Sequence, residues 1–193
     1  MKKAFELIAG HPALDLVNTL DWRFRDSGPE DLLKSYDDLL RFTQESGLLT
    51  PAQTRKLGHT ASARALTRYV ELREAIAEIL FAGMDGRSPA AASLKTLERS
   101  IHAARLQQQL HWKQERLQWD WKENDAELPL SLLSLNAADL LLTDAVHRVR
   151  ACDNPECRWL FLDTSKNHTR RWCDMKVCGN RMKARRFKAH RKG

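Results

Sequence analysis

Apolar residues in the middle of the chain recur at helical spacing. Leu66, Val70, Leu72, Ile76 and Leu80 share one side of a helix predicted over about 60–82, which Gly83 and Gly86 end. Ser88-Pro89 opens a second helix, running to about Arg105. The period then drops to two: Leu110-His111-Trp112 and Leu117-Gln118-Trp119-Asp120-Trp121 alternate around Glu115-Arg116, which predicts a β-hairpin. Leu130 to Leu142 is apolar nearly all round and reads as a core helix. Upstream, Ala4–Ala9 reads as a short strand and Gly10-His11-Pro12 starts a helix to about Leu20. Asp21–Glu30 is a polar loop. Ser35 with Asp38 resembles a capping box before a helix that Gly47 stops, and Thr50-Pro51 caps another short one. The residues after Val146 predict an extended lead, then a strand at Trp159–Leu162 and a returning strand at Thr169–Trp172. A last helix runs from Gly179-Asn180 to about His190.

A chain of 193 residues with 42% hydrophobic and 30% charged residues suits one ordinary domain plus a small module. No apolar run approaches the twenty or so residues that span a bilayer. The start, Met1-Lys2-Lys3 with Glu6 close behind, has no apolar signal core. The expectation is a cytoplasmic protein without a membrane partner. The net charge of +7 is uneven: from His147 onward fourteen Lys/Arg face four Asp/Glu, and before it eighteen face twenty-one. A basic C-terminal module points to an anionic partner, nucleic acid first.

All four cysteines lie in that module. Cys152/Cys157 and Cys173/Cys178 are two C-x4-C pairs fifteen residues apart. Four thiolates at such spacing close a tetrahedral shell, the expected occupant being one structural zinc with no open position for a catalytic water. Two disulfides or four core cysteines are the alternatives; neither explains the even pairing in a chain without secretion signals. His168 is a conceivable further ligand that reads as a turn residue. Knuckle, hairpin, knuckle and helix is the order of a treble-clef finger.

The module resembles the CGNR zinc fingers. The signature Cys178-Gly179-Asn180-Arg181 is present, with Leu160-Phe161, Asp163, Ser165, Arg170-Arg171-Trp172-Cys173, Met175 and Lys183-Ala184 around it. Asp174 and Lys166 depart from the usual pattern. At the other end, Phe5-Glu6-Leu7-Ile8-Ala9-Gly10 and Leu14-Asp15-Leu16-Val17-Asn18-Thr19 resemble the opening of the ABATE domain. The resemblance implies a stress-induced transcription regulator, or an RNA-binding zinc-ribbon-like protein.

The expectation is therefore an α+β chain. A mostly helical ABATE-like domain with a small β-hairpin, residues 1–146, precedes a treble-clef-like zinc finger, residues 147–193. On the last helix Arg181, Arg185, Lys188 and Lys192 form one basic stripe, with Lys183, Arg186 and His190 on another side. With Arg170 and Arg171 these are the candidate nucleic-acid contacts, duplex DNA ahead of RNA. The bland alternative is a solvated helix whose charges offset the zinc tetrathiolate. His11, Asp15 and Asn18, with Arg23, are a candidate small-molecule effector pocket; capping and hydrogen bonding to neighbouring loops is the competing reading. The alternating Trp112, Trp119 and Trp121 could stack on bases, and cross-strand packing or core is the commoner role. A second copy of the chain is a further candidate partner, and a purely protein-docking finger a further class. No nucleophile–base pair, P-loop or dinucleotide fingerprint appears, so the chain is not expected to be an enzyme.

Overall fold

A computed structural model describes residues 4–58, 63–122 and 126–190. Its helices begin where side chains cap them. The Ser35 hydroxyl accepts the Asp38 N–H, while the Asp38 carboxylate accepts the Lys34 N–H and the Ser35 hydroxyl proton. That exchange starts α2, Tyr36–Glu45. The first helix, α1, is Pro12–Asn18, capped by the His11 side chain, with Pro12 in its first turn. Thr50 and Gln53 form a reciprocal capping box at α3, Pro51–Leu57, with Pro51 in the first turn.

One compact unit comprises Met1–Phe5 with Leu33–Leu142. It contains α2, α3, the long α4 (Ala63–Met84), α5 (Ala91–Leu106) and α6 (Leu128–Leu141). Helices α4, α5 and α6 pack against one another. Leu39 and Phe42 of α2, Tyr69, Leu72 and Ile76 of α4, and Leu133 and Leu140 of α6 are fully buried. Burial of each such aliphatic or Phe side chain contributes about 1.5–3 kcal/mol, so apolar packing is the main source of stability here. Nothing in Ala90 caps α5; instead its N–H donates to Glu78 of α4 at 3.1 Å.

The predicted hairpin is present in this unit. In chain order two short strands come earlier, so its strands are β3 (Gln108–Lys113) and β4 (Arg116–Trp121). They pair with Leu110 opposite Trp119 and Trp112 opposite Leu117. Gln114 and Glu115 close a two-residue turn at φ 52° and 59°, the positive angles of a turn whose twist suits a hairpin. Trp112 and Trp119 are cross-strand neighbours of leucines but not core, 70% and 58% exposed, while Trp121, opposite Gln108, is half-buried.

The second compact unit is discontinuous: Glu6–Leu32 with Thr143–Gly193. It holds α1, the paired dipeptides β1 (Leu20–Asp21) and β2 (Glu30–Asp31), and the whole C-terminal module. The expected boundary near residue 146 follows chain order, whereas the compact units assign the N-terminal helix to the finger. Within the unit a 3-10 turn, Asp144–Arg148, leads into β5 (Val149–Ala151), which pairs antiparallel with β6 (Leu160–Leu162). A π-helical turn, Met175–Gly179, leads into α7, Asn180–His190.

Two expected strands are not formed. Ala4–Ala9 forms no strand ladder; its backbone link to β6 is the Leu162 N–H donating to the Ala9 carbonyl at 2.8 Å. Thr169–Trp172 is not the partner of β6, because β5 takes that role. The returning segment is held by Asp163 and Asp153 instead: the Arg170 N–H donates to the Asp163 carboxylate, and the Asp153 N–H to the Arg171 carbonyl.

Candidate metal centre and basic helix

Each cysteine pair is presented by a tight backbone turn. In the first, the Asn154 carbonyl accepts the N–H groups of Cys157 and Arg158, both at 3.0 Å. In the second, the Asp174 carboxylate caps the π-helical turn by accepting the Val177 N–H at 2.8 Å. That cap gives a physical use to a residue that departs from the usual finger pattern. Gly179 packs where a side chain would not fit: a Cβ there would lie 2.4 Å from the Met175 sulfur and 3.1 Å from the Trp172 ring.

The turns bring all four sulfurs together, buried, within 4.8 Å of one another and not disulfide-bonded. Cys157 and Cys173 sulfurs are 3.7 Å apart, and Cys173 and Cys178 sulfurs 3.6 Å. Zinc–thiolate bonds of about 2.3 Å in a tetrahedron require sulfur–sulfur edges of about 3.8 Å. Four ionised sulfurs this close together, and buried, repel one another strongly. Four thiolates therefore need a divalent cation between them. The donor set fits one structural zinc, held by Cys152, Cys157, Cys173 and Cys178. Around it, the buried Asn154 amide points at the Cys178 sulfur at 3.6 Å. Such an outer contact orients the ligand and offsets its charge. His168 lies outside the sulfur cluster, with a ring nitrogen 3.3 Å from the Asp163 carbonyl.

The N-terminal segment completes this unit. Ile8 and Trp22 pack against the cluster formed by the four cysteines, Trp159 and Phe161. The Asn18 side chain pairs with the backbone of β6 in both directions: its amide donates to the Leu160 carbonyl at 2.9 Å, and its oxygen accepts the Leu160 N–H at 2.8 Å. Asp15, buried on the same helix, accepts the Ala9 N–H at 3.0 Å. Burial outweighs the backbone hydrogen bonds from Ala9 and Ile8 and raises its pKa to about 6. His11 caps α1 by accepting the Ala13 N–H, and Arg23 reaches the Val17 carbonyl at 3.3 Å. The four residues singled out as a candidate pocket thus direct these polar groups to backbone atoms. Sequence inspection missed Asn18 as a brace of the finger, since its partner lies 142 residues away.

The basic residues divide into two sets. Arg170 is turned inward: its guanidinium sits 4.2 Å over the Phe161 ring and donates to the carbonyls of Trp172, Cys173 and Ile8. Arg171 pairs with Asp153 at 2.6 Å, and Arg185 with Glu156 at 2.6 Å. Arg181 stacks 4.4 Å over the Trp22 ring. The predicted stripe therefore begins with two residues engaged by the unit itself, and Lys192 lies outside the described residues. Lys183 and Arg186, on the opposite side of α7 by helical spacing, are exposed and have no ion-pair partner among the described residues. Phe187 is next to them and 64% exposed. Lys188 is exposed as well.

A family model described as "Putative stress-induced transcription regulator" (ABATE) matches residues 10–144. The CGNR zinc finger model matches residues 148–191. No curated protein matches the chain. Both families are of regulator and zinc-finger type. Among the described residues no helix is long and apolar enough to cross a membrane.

Proposed function

We propose that this chain, which belongs to the ABATE family and carries a CGNR zinc finger, regulates transcription by binding duplex DNA through α7. The outward face of α7 carries the proposal. Lys183 and Arg186 stand exposed, without an ion pair among the described residues, on the helix that leaves the last metal-binding turn. Zinc does no chemistry at such a site; it holds the helix at a fixed angle to the rest of the finger. Arg181 and Arg185 brace that helix through Trp22 and Glu156, so they position it more than they neutralise phosphate. The metal unit holds sixteen Lys/Arg against eleven Asp/Glu, the helical unit sixteen against fourteen. The excess positive charge thus favours the metal unit as the side that meets an anion.

The test is fluorescence anisotropy with zinc-loaded protein, duplex DNA and a structured RNA across a salt series. Duplex affinity should fall steeply with salt, about 0.9 log units per decade of salt for each phosphate neutralised. Lys183→Ala/Arg186→Ala should flatten that slope by about 2 units, while Lys95→Ala/Arg99→Ala in the helical unit leaves it unchanged. Equal loss in the two variants would assign binding to bulk charge and remove α7 from the proposal. A second reading has one observation behind it. Phe187, exposed beside the free cations, could stack on an unpaired base, which favours RNA loops. Tighter binding of RNA, lost in Phe187→Ala, would replace the DNA reading.

A further inference from the structure

The β3–β4 hairpin presents an apolar face that the helical unit does not cover. Successive strand residues alternate faces, so Leu110 and Trp112 of β3 share a face with their cross-strand partners Trp119 and Leu117. These four are 54%, 70%, 58% and 64% exposed, respectively. The other face carries Gln109, His111, Lys113, Arg116, Gln118 and Asp120. The apolar face exposes roughly 600 Å² of side chain, at the upper end of the largest patch on an ordinary monomer. In water this is an unfavourable arrangement unless something covers it.

We propose that the hairpin face is the dimer interface of this protein, covered by the same face of a second copy. Three observations favour a second copy over a different partner. The apolar face itself carries no charged residue, so two copies meet on it without repulsion. That same neutrality gives no electrostatic preference for an acidic or a basic partner, nucleic acid included. The paired areas total about 1,200 Å², the lower limit of stable association, which suits a self-complementary two-fold contact of micromolar strength. Two exposed tryptophans at its centre are the side chains that most often carry binding energy in such contacts. The inference is independent of the nucleic-acid reading, because it concerns the other compact unit and needs no ligand.

The experiment is sedimentation equilibrium of the zinc-loaded full chain from about 1 to 100 μM, the range that brackets micromolar association. The expected result is a reversible monomer–dimer equilibrium. Trp112→Ser/Trp119→Ser should weaken it by about 100-fold or more, with helical circular dichroism unchanged because both side chains are exposed. If that variant does not fold, Leu117→Lys provides the same break with a single charge. His111→Ala/Gln118→Ala, on the opposite face, should dimerise as the wild type does. A wild type that stays monomeric through this range overturns the proposal. So does a dimer that survives both apolar-face variants.

Discussion

The two compact units reach stability by different routes. The helical unit buries long apolar side chains on continuous helices, and its hydrogen bonds are mostly local, as in the capping box of Thr50 and Gln53. The metal unit is assembled from the two ends of the chain, with four sulfurs at its centre and buried polar groups around them: Asn18, Asp15, Asn154 and Asp163. In the first, a lost contact is shared among neighbours. In the second, a few specific bonds hold non-adjacent segments, and each has no substitute. The contrast teaches that the match to two successive families in chain order does not determine which segments pack together.

The largest effect should come from removing a sulfur. Cys173→Ser is expected to lose the zinc and unfold the metal unit, because structural zinc binding supplies about 10–16 kcal/mol in comparable modules. The helical unit should keep its circular dichroism signal and a cooperative melt. Elemental analysis and thermal denaturation check this; a single transition lost throughout would merge the two units into one. Next is Asn18→Ala, which leaves the Leu160 N–H and carbonyl buried without partners. A cost of about 2–4 kcal/mol is expected, read as weaker zinc retention against a chelator. Full retention would show that α1 does not brace the finger.

Asp15 gives a pH-dependent comparison. Its folded pKa of about 6 lies above the ordinary 3.8. Between those values the folded state binds more protons than the unfolded state, so stability falls as pH rises through this window and levels off above it. Relative to Asp15→Asn at the same pH, the wild type should lose on the order of 2 kcal/mol between pH 4 and pH 6. Taking the difference between the two proteins cancels thiol protonation, which both share. Parallel denaturation curves would show that the carboxyl is not held in its neutral form. The smallest effect belongs to the helical unit: Thr50→Ala removes an exposed cap and should cost about 1 kcal/mol, with zinc affinity unchanged. A change in zinc affinity would couple the units that this contrast separates.

What could be read from the sequence was whatever is encoded locally. Cysteine pairing, the capping residues of α2 and α3, and the hairpin alternation each need only neighbouring positions. The bond between Asn18 and Leu160 does not, and so a motif residue near the start showed only its helical spacing. Periodicity placed Arg181 and Arg185 on one stripe of α7 but not which way it faces; Trp22 and Glu156, which engage the stripe, lie elsewhere in the chain. Alternation likewise identified the tryptophan strands without revealing that their apolar face is exposed. Thr169–Trp172 has the composition of a strand, yet Asp163 captures the segment through its side chain and leaves no ladder to form.

The pairing of Asn18 with Leu160 also sets an order of events during synthesis. The bond joins residues 142 positions apart, so the N-terminal helix leaves the ribosome long before its partner strand exists. At about 5–20 residues per second the wait is roughly seven to thirty seconds. The helical unit, encoded between the two halves, is complete first and can fold in that interval. Until β6 emerges, α1 has no strand to pack on, and this is when the nascent chain is most exposed to aggregation or to a chaperone.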